Sequence, residues 1–224
     1  MKAKLWMLAL ATSLALAVGG AAAQGSTKVL RYAFPIAETN FDPAQITDLY
    51  SRRVARAIFD APLEFEFLAR PVRMRANTAA AMPEVAADFR SFTFRIKPGI
   101  HFDDDPAFKG AKRELVAADY VYSLKRHVDP RWKSGNLYIL ENAKILGLNE
   151  LRKDAIEKKQ PFDYDREVEG LRALDRYTFQ VKLVDPMPRL LHYFTDGSFT
   201  GALAREVAEM YGDTIGEHPV GTGA

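Results

Sequence analysis

The chain has 224 residues, a formal net charge of +2, 48% hydrophobic residues and 27% charged residues. These values are typical of a soluble globular protein, and the length predicts one or two domains. Cysteine does not occur in the sequence, which excludes a disulfide framework, a thiol nucleophile and thiolate metal ligands.

The amino terminus has the pattern of an export signal. Lys2 and Lys4 precede an apolar run at residues 5–18, and the alanines at residues 21–23 precede Gln24. A basic start, a short apolar run and a small-residue site are typical of a cleavable signal peptide, and the run is short for a transmembrane helix. We therefore predict cleavage after residue 23 and a periplasmic mature protein, with an uncleaved membrane anchor as the alternative.

Removal of this leader changes the charge balance. The chain carries 31 basic and 29 acidic residues, and the leader contains Lys2 and Lys4 but no acidic residue. Subtracting those two lysines leaves 29 residues of each sign in the mature chain. This neutral balance gives no support for a nucleic-acid partner.

The mature sequence opens with strand and helix patterns. Alternating apolar and polar residues at 29–34 predict a first strand, and a loop follows at 35–43. Residues 50–58 repeat apolar side chains at helical spacing, and residues 69–88 read as connections with at most a short turn of helix. The helix carries three arginines that we expect to face solvent rather than to form a phosphate site: Arg52, Arg53 and Arg56.

The clearest pattern lies in the middle of the chain. Phe92, Phe94 and Ile96 alternate with polar residues, which predicts a half-buried strand that ends at the Pro-Gly turn of residues 98–99. Apolar residues then recur at helical spacing over residues 117–128. An Asp-Pro pair follows, and it predicts the end of the helix because proline disfavours helical geometry in the residue before it.

One acidic loop between this strand and helix resembles a metal site. Oxygen ligands can bind calcium, and histidine with carboxylates can bind other metals. Aspartates also favour turns, because their side chains bond nearby backbone amides. We therefore predict no metal here, although the cluster has four members: His101, Asp103, Asp104 and Asp105.

The last third of the mature chain again mixes helices and strands. We predict a helix at residues 148–159, a turn at 175–176 and a strand over 178–183. Shorter helices follow at 189–194 and 203–211. The chain then reaches a Gly-Thr-Gly loop, in which glycines permit close backbone approach to a partner.

These segments resemble, in the same order, the conserved motifs of the family 5 extracellular solute-binding proteins, which are peptide and oligopeptide receptors of ABC transporters. The strand and turn match at Phe92, Phe94, Ile96, Lys97, Gly99, Phe102 and Asp103, and the helix matches at Asp119, Val121, Tyr122, Ser123 and Arg126. Two later motifs match at residues 174–183 and 218–223. The sequence departs from the family at Asp104, where a glycine is usual.

The resemblance implies an α/β, periplasmic-binding-protein-like fold of class II with two lobes. This chain would hold the N-terminal lobe with its inserted subdomain and stop before the second lobe. The implied division is a signal peptide at 1–23, the first part of lobe I at 24–59, the inserted subdomain at 60–175 and a return to lobe I at 176–224.

The resemblance also implies which residues contact ligand. The loop after the first strand, two positions after the central helix and the Gly-Thr-Gly loop are expected at the cleft, where exposed backbone can pair with an extended peptide. The predicted ligand-binding residues are Ile36, Ala37, Glu38, Thr39, Asn40, Phe41, Asn136, Tyr138, Gly221, Thr222 and Gly223.

The implied function is binding without catalysis. The local motifs of serine hydrolases and zinc peptidases do not occur, so we predict no enzyme activity, catalytic residue, metal or cofactor. The resemblance implies a periplasmic receptor, monomeric at full length, that delivers peptides or similar small solutes to membrane ABC permease subunits. Two alternatives stay open: a secreted metal-dependent hydrolase, and a truncated fragment without transport activity.

Overall fold

The computed structural model describes residues 28–223, and the predicted signal peptide lies outside them. Residues 28–35 belong to a unit of their own, Met1–Pro35, and contain no helix or strand. The rings of Tyr32 and Phe34 lie edge to face with centroids 5.6 Å apart. Because residues 28–35 form no strand, the strand predicted at residues 29–34 is wrong. Alternation supplies two faces, but a strand also requires hydrogen bonds to a neighbouring strand.

Residues 36–223 lie in the second unit, Ile36–Ala224, and mix short strands with helices. The strands are β1 (Leu63–Phe65), β2 (Met74–Ala76), β3 (Glu84–Val85), β4 (Ser91–Arg95), β5 (Leu171–Ala173) and β6 (Thr178–Lys182). The α-helices are α1 (Leu49–Ile58), α2 (Ala117–Val128), α3 (Leu137–Ala143), α4 (Leu148–Lys158), α5 (Leu190–Tyr193), α6 (Gly197–Thr200) and α7 (Arg205–Tyr211). Two 3-10 helices lie at Pro106–Phe108 and Gly212–Glu217. The predicted boundaries of the inserted subdomain, after residues 59 and 175, stay predictions.

The strands form two antiparallel sheets. β1 pairs with β2, and the larger sheet has the order β3-β4-β6-β5. In that sheet Phe92 lies opposite Val181 and Phe94 opposite Phe179. The buried positions of one strand therefore meet the buried positions of the other on the same face.

The hydrophobic core lies between this sheet and α2. Phe94 and Phe179 stack with ring centroids 4.7 Å apart, and the Tyr120 ring of α2 lies 5.3 Å from Phe179. All three side chains are fully buried. The predictions of a strand at Phe92 to Ile96, a helix over residues 117–128 and a strand after residue 177 are confirmed, because each long pattern follows one buried face.

The segment at residues 69–88 differs from the prediction. It contains β2 and β3 where connections are predicted, and β5 is also absent from the predicted strands. These strands are two or three residues long, too short to show a period-2 pattern, and their partner strands position them. Among residues 28–223, no helix has both the length and the apolar character needed to span a membrane.

Candidate functional site

Helix α1 is the element that all three predicted ligand-binding segments contact. Asp48 caps its first turn, and the carboxylate accepts hydrogen bonds from the backbone N–H groups of Tyr50 and Ser51. Its buried residues are Ser51 and Ala55. One end of the helix therefore meets the loop at residues 36–41, and the other end meets the Gly-Thr-Gly loop.

The loop at residues 36–41 is held at the first turn of α1. The Thr39 N–H donates to the Ser51 Oγ at 3.0 Å, and the Thr39 Oγ1 donates to the Asp48 Oδ2 at 2.6 Å. The Phe41 N–H donates to the Gly216 carbonyl at 3.3 Å. Four side chains of this loop are exposed: those of Ile36, Ala37, Glu38 and Thr39. The loop is thus fixed at one end and open to solvent along the rest.

A buried ion pair anchors the loop from behind. The Arg126 Nη1 and Nη2 atoms donate to the Asp42 Oδ1 and Oδ2 at 2.5 and 2.9 Å. Burial favours protonation of Asp42, but the charge and hydrogen bonds of Arg126 outweigh it and hold the pKa of Asp42 below its usual value. The Trp132 ring lies 4.7 Å from the Arg126 Cζ. Trp132 therefore packs on this pair.

The Gly-Thr-Gly loop packs on the last turn of α1. The Gly223 N–H donates to the Ile58 carbonyl at 2.9 Å, and the Thr222 Oγ1 donates to the Asp60 Oδ2 at 3.0 Å. A Cβ atom at Gly221 would lie 1.9 Å from the Ile58 oxygen, and one at Gly223 would lie 2.1 Å from the Ala57 oxygen. Both positions require glycine because the backbone approaches the helix end too closely for a side chain.

Asn136 and Tyr138 line a cavity of about 520 Å³ beside α1. Asn136 is 3% exposed and Tyr138 is 60% exposed, so the two residues form the deep and the outer parts of one wall. The other lining residues are Arg52, Arg56, Phe65, Gly135, Ile139, His192, Tyr193, Thr195, Asp196 and Phe199. Apolar walls with a few placed polar groups are typical of small-ligand sites.

The cavity adds to the prediction about the arginines of α1. Arg53 and Arg56 are exposed, as expected, and Arg52 is half-buried, but Arg52 and Arg56, one helical turn apart, also line the cavity. The Arg52 Nη2 donates to the Asn136 Oδ1 at 3.0 Å, and Arg56 donates to both oxygens of Asp196 at 2.9 and 2.7 Å. The apolar repeat predicted over residues 50–58 includes Ala57, which is exposed; the residues that the helix buries are Ser51 and Ala55.

A buried histidine supports the wall of this cavity. The His127 Nε2 lies 2.8 Å from the Phe199 carbonyl, which can only accept, so Nε2 carries the hydrogen. The Nδ1 atom then accepts from the Ser134 Oγ at 2.7 Å, and that oxygen accepts the Asn136 N–H at 3.2 Å. Burial lowers the pKa of His127 to about 4. No local sequence signal indicates that this histidine of α2 is buried.

The acidic loop uses its side chains for local structure. The Asp105 carboxylate accepts the Ala107 N–H at 2.8 Å and caps a 3-10 helix, and Asp104 pairs with Lys112 at 2.8 Å. The His101 Nδ1 lies 3.0 Å from the Gly99 carbonyl. Within residues 28–223, no group of three or more histidine or acidic side chains is arranged to hold a metal ion.

Comparison with known proteins decides the family. The sequence profile described as "Bacterial extracellular solute-binding proteins, family 5 Middle" matches residues 73–224. The chain belongs to this family. The resemblance predicted from the sequence is therefore confirmed, and so is the α/β class of the two-lobed periplasmic-binding fold, of which the chain forms a part.

The curated relatives of this chain are described as peptide-binding proteins. The Di/tripeptide-binding protein 2 of Pseudomonas aeruginosa strain UCBPP-PA14 is 29% identical over 213 residues, which cover 91% of this chain and 36% of the relative. The periplasmic oligopeptide-binding protein OppA of Salmonella typhimurium is 24% identical and is matched over 28% of its length. The chain thus spans about a third of the length of these relatives.

Solved structures agree on the fold. The OppA of Haemophilus influenzae in complex with RPPGFSPFR matches with a TM-score of 0.65 and 24% identity, over 83% of this chain and 33% of that one. The DppA of Helicobacter pylori in complex with the peptide STSA matches with a TM-score of 0.61 and 22% identity, over 83% and 34%. At these sequence identities the structural matches establish the fold of the chain alone.

Proposed function

We propose that this chain is part of a periplasmic receptor that binds peptides or similar small solutes and delivers them to membrane ABC permease subunits for import. The observation that carries the proposal is membership of the solute-binding family together with a cavity of about 520 Å³ against α1. Binding of this kind needs a shaped surface with a few placed polar groups and no reacting side chain. The metal-dependent hydrolase alternative has no comparable support in residues 28–223.

We propose that the predicted residues divide into contact and support positions. The exposed residues 36–38 offer backbone N–H and C=O groups that an extended peptide can pair with. Asn136 and Tyr138 face a cavity that suits a side chain or terminus of the ligand. Gly221 and Gly223 approach the end of α1 closely, so their role is to hold this wall in place.

We propose export through the leader at residues 1–23 and action as a monomer. Amino-terminal sequencing of the protein from the periplasmic fraction of a bacterial host is expected to read from Gln24. An exported product that retains Met1 would contradict cleavage and favour the membrane-anchor alternative. Sedimentation at several concentrations checks the monomer, since self-association makes the apparent mass rise with concentration.

Peptide binding is tested by NMR titration of the ¹⁵N-labelled chain with tri-alanine up to millimolar concentrations. We expect shifts in the loop at residues 36–41, at Asn136 and at Tyr138. Tyr138→Ala should weaken binding, because the ring supplies apolar contact at the outer wall. Phe67→Ala is the matched control, since that aromatic ring is 90% exposed and lies outside the cavity lining. Shifts spread evenly over the chain, or none with di- to pentapeptides, would contradict the proposal.

A further inference from the structure

The cavity beside α1 carries an uncompensated positive charge. Two arginines and one aspartate line it, so its formal charge is +1 with His192 neutral. Asp196 is already engaged by both hydrogen bonds of Arg56 and by the Ser198 hydroxyl at 2.6 Å. The Arg52 guanidinium bonds instead to the neutral amide oxygen of Asn136. Among the charged residues that line the cavity, Arg52 is therefore the one whose hydrogen bond goes to a neutral group.

The Asn136 amide adds a second donor. A guanidinium group can only donate, so the contact at 3.0 Å identifies the atom facing Arg52 as the amide oxygen. The NH₂ group must then point elsewhere, and the buried Nδ2 atom has no hydrogen-bond partner. An unpaired buried donor is unfavourable. The network from His127 through Ser134 holds the Asn136 backbone, so the amide group stays next to Arg52 while its NH₂ group remains unpaired.

The remaining lining strengthens the preference for an anion. Phe65, Ile139 and Phe199 are apolar, and apolar walls increase the strength of a charge interaction by lowering the local dielectric constant. Tyr138 adds a phenolic hydroxyl at the outer wall. An ammonium group in this cavity would be repelled by Arg52, and Asp196, the lining acid, is already paired with Arg56. A carboxylate would instead face hydrogen-bond donors.

We propose that this cavity takes a carboxylate of the bound peptide, with Arg52 as its charge partner and the Asn136 amide as a second donor. The inference rests on the proposed function, because it specifies which peptides the receptor prefers. The Nδ2 atom is covered, so the carboxylate contacts Arg52 first and Asn136 after a small side-chain rotation. The carboxylate comes from an acidic side chain or from the peptide carboxyl terminus, and the two sources are separable by choice of probe.

The test compares four tripeptides by NMR titration of the ¹⁵N-labelled chain: Ala-Glu-Ala, Ala-Gln-Ala and the carboxyl-terminal amide of each. We expect about tenfold tighter binding for whichever peptide presents the carboxylate to the cavity, since one charge-assisted hydrogen bond has that effect. Preference for Glu over Gln identifies a side-chain carboxylate, and loss of affinity on amidation identifies the terminus. The Arg52 Nε and Asn136 Nδ2 resonances should move with the preferred peptide.

Variants on the same helix supply the control. Arg52→Gln should abolish the preference and Arg52→Lys should retain part of it, because lysine keeps the charge but not the planar donor pair. Arg53→Gln makes the same charge change one residue away, outside the cavity lining, and should keep the preference. Equal binding of all four peptides with an unchanged Arg52→Gln variant overturns the carboxylate site and leaves peptide binding standing.

Free glutarate separates this inference from the proposed function. If glutarate moves the Arg52 and Asn136 resonances while no tripeptide binds, the anion site stands and the peptide function is wrong. If neither probe moves them, the carboxylate site is wrong; the peptide function is wrong as well only if the tripeptides move no resonance of the chain. A glutarate response of equal size in Arg52→Gln also overturns the carboxylate site.

Discussion

Asp42 and Arg126 form a bidentate ion pair in which both side chains are almost completely buried, with relative exposures of 0% and 3%. The pair joins the end of the loop at residues 36–41 to the central helix α2 across 84 positions of sequence. Asp42 also accepts the Ala44 N–H at 3.1 Å and the Gln45 amide at 2.7 Å. Its carboxylate is therefore fully hydrogen-bonded and fixes the base of the loop.

Loss of one partner of this pair should be strongly destabilising. We expect Asp42→Asn and Arg126→Gln each to lower the free energy of unfolding by about 3–5 kcal/mol, because each leaves an uncompensated buried charge. Urea unfolding followed by circular dichroism measures the change. The matched control is Arg131→Gln, which breaks the exposed pair with Asp213 and should cost less than about 1 kcal/mol. Equal small effects of all three variants would contradict a structural role for the buried pair.

The same pair shows what sequence reasoning could reach. Arg126 lies in a motif that the resemblance identified and Asp42 lies in the loop expected at the cleft, but no pattern in the sequence indicates that the two side chains meet. Long periodic segments such as β4, α2 and β6 were predictable, because one buried face determines their spacing. The cavity was not predictable as a whole. Its lining comes from α1, β1, α3 with the residues just before it, and the segment around α5 and α6, which only tertiary packing brings together.

The histidine behind the cavity should make stability depend on pH. The pKa of His127 falls from an ordinary value of 6.5 to about 4 in the folded chain. Between these values the unfolded chain binds a proton that the folded chain does not, so stability is lost as the pH falls through this window. Urea unfolding at a series of pH values should show a slope that His127→Gln reduces.

His101→Gln is the control for this pH dependence, because the His101 side chain is exposed. The control variant should keep the increase of unfolding free energy with pH between pH 4 and 6.5 that we attribute to His127. A His127→Gln variant with the same slope as the parent chain would show that other groups cause the acid sensitivity. NMR titration of the imidazole in the folded chain provides a second, direct measurement.

The glycines of the last loop offer a steric prediction. A Cβ atom at Gly221 would lie 1.9 Å from the Ile58 carbonyl oxygen, and this oxygen belongs to the backbone and cannot rotate away. Gly221→Ala should therefore destabilise the chain by about 1–3 kcal/mol, as overpacking in a fixed environment does. Gly135→Ala is the control, since its Cβ atom would lie at 3.5 Å from Thr47, an ordinary contact distance. Thermal unfolding that ranks the two variants equally would contradict the close packing on α1.

The last prediction concerns how much of the binding site this chain supplies. Its matches cover about a third of the length of the relatives, such as 36% of the Di/tripeptide-binding protein 2. Small-ligand sites usually bury most of the ligand surface, and two-lobed proteins achieve this by hinge closure. Under the proposed function, α1 and the loop at residues 36–41 form a wall on one side of the peptide.

We therefore expect this chain alone to bind tripeptides weakly and to bind them at least about a hundredfold more tightly when joined to the remaining two thirds of that relative. Losing half of the contacts costs several kcal/mol, and each 1.4 kcal/mol changes affinity tenfold. Calorimetry on the two proteins with Ala-Glu-Ala measures the ratio. The joined protein carrying Arg52→Gln is the control that locates the site on this chain. Equal affinities for the short and joined proteins would show that the complete site lies within residues 36–223.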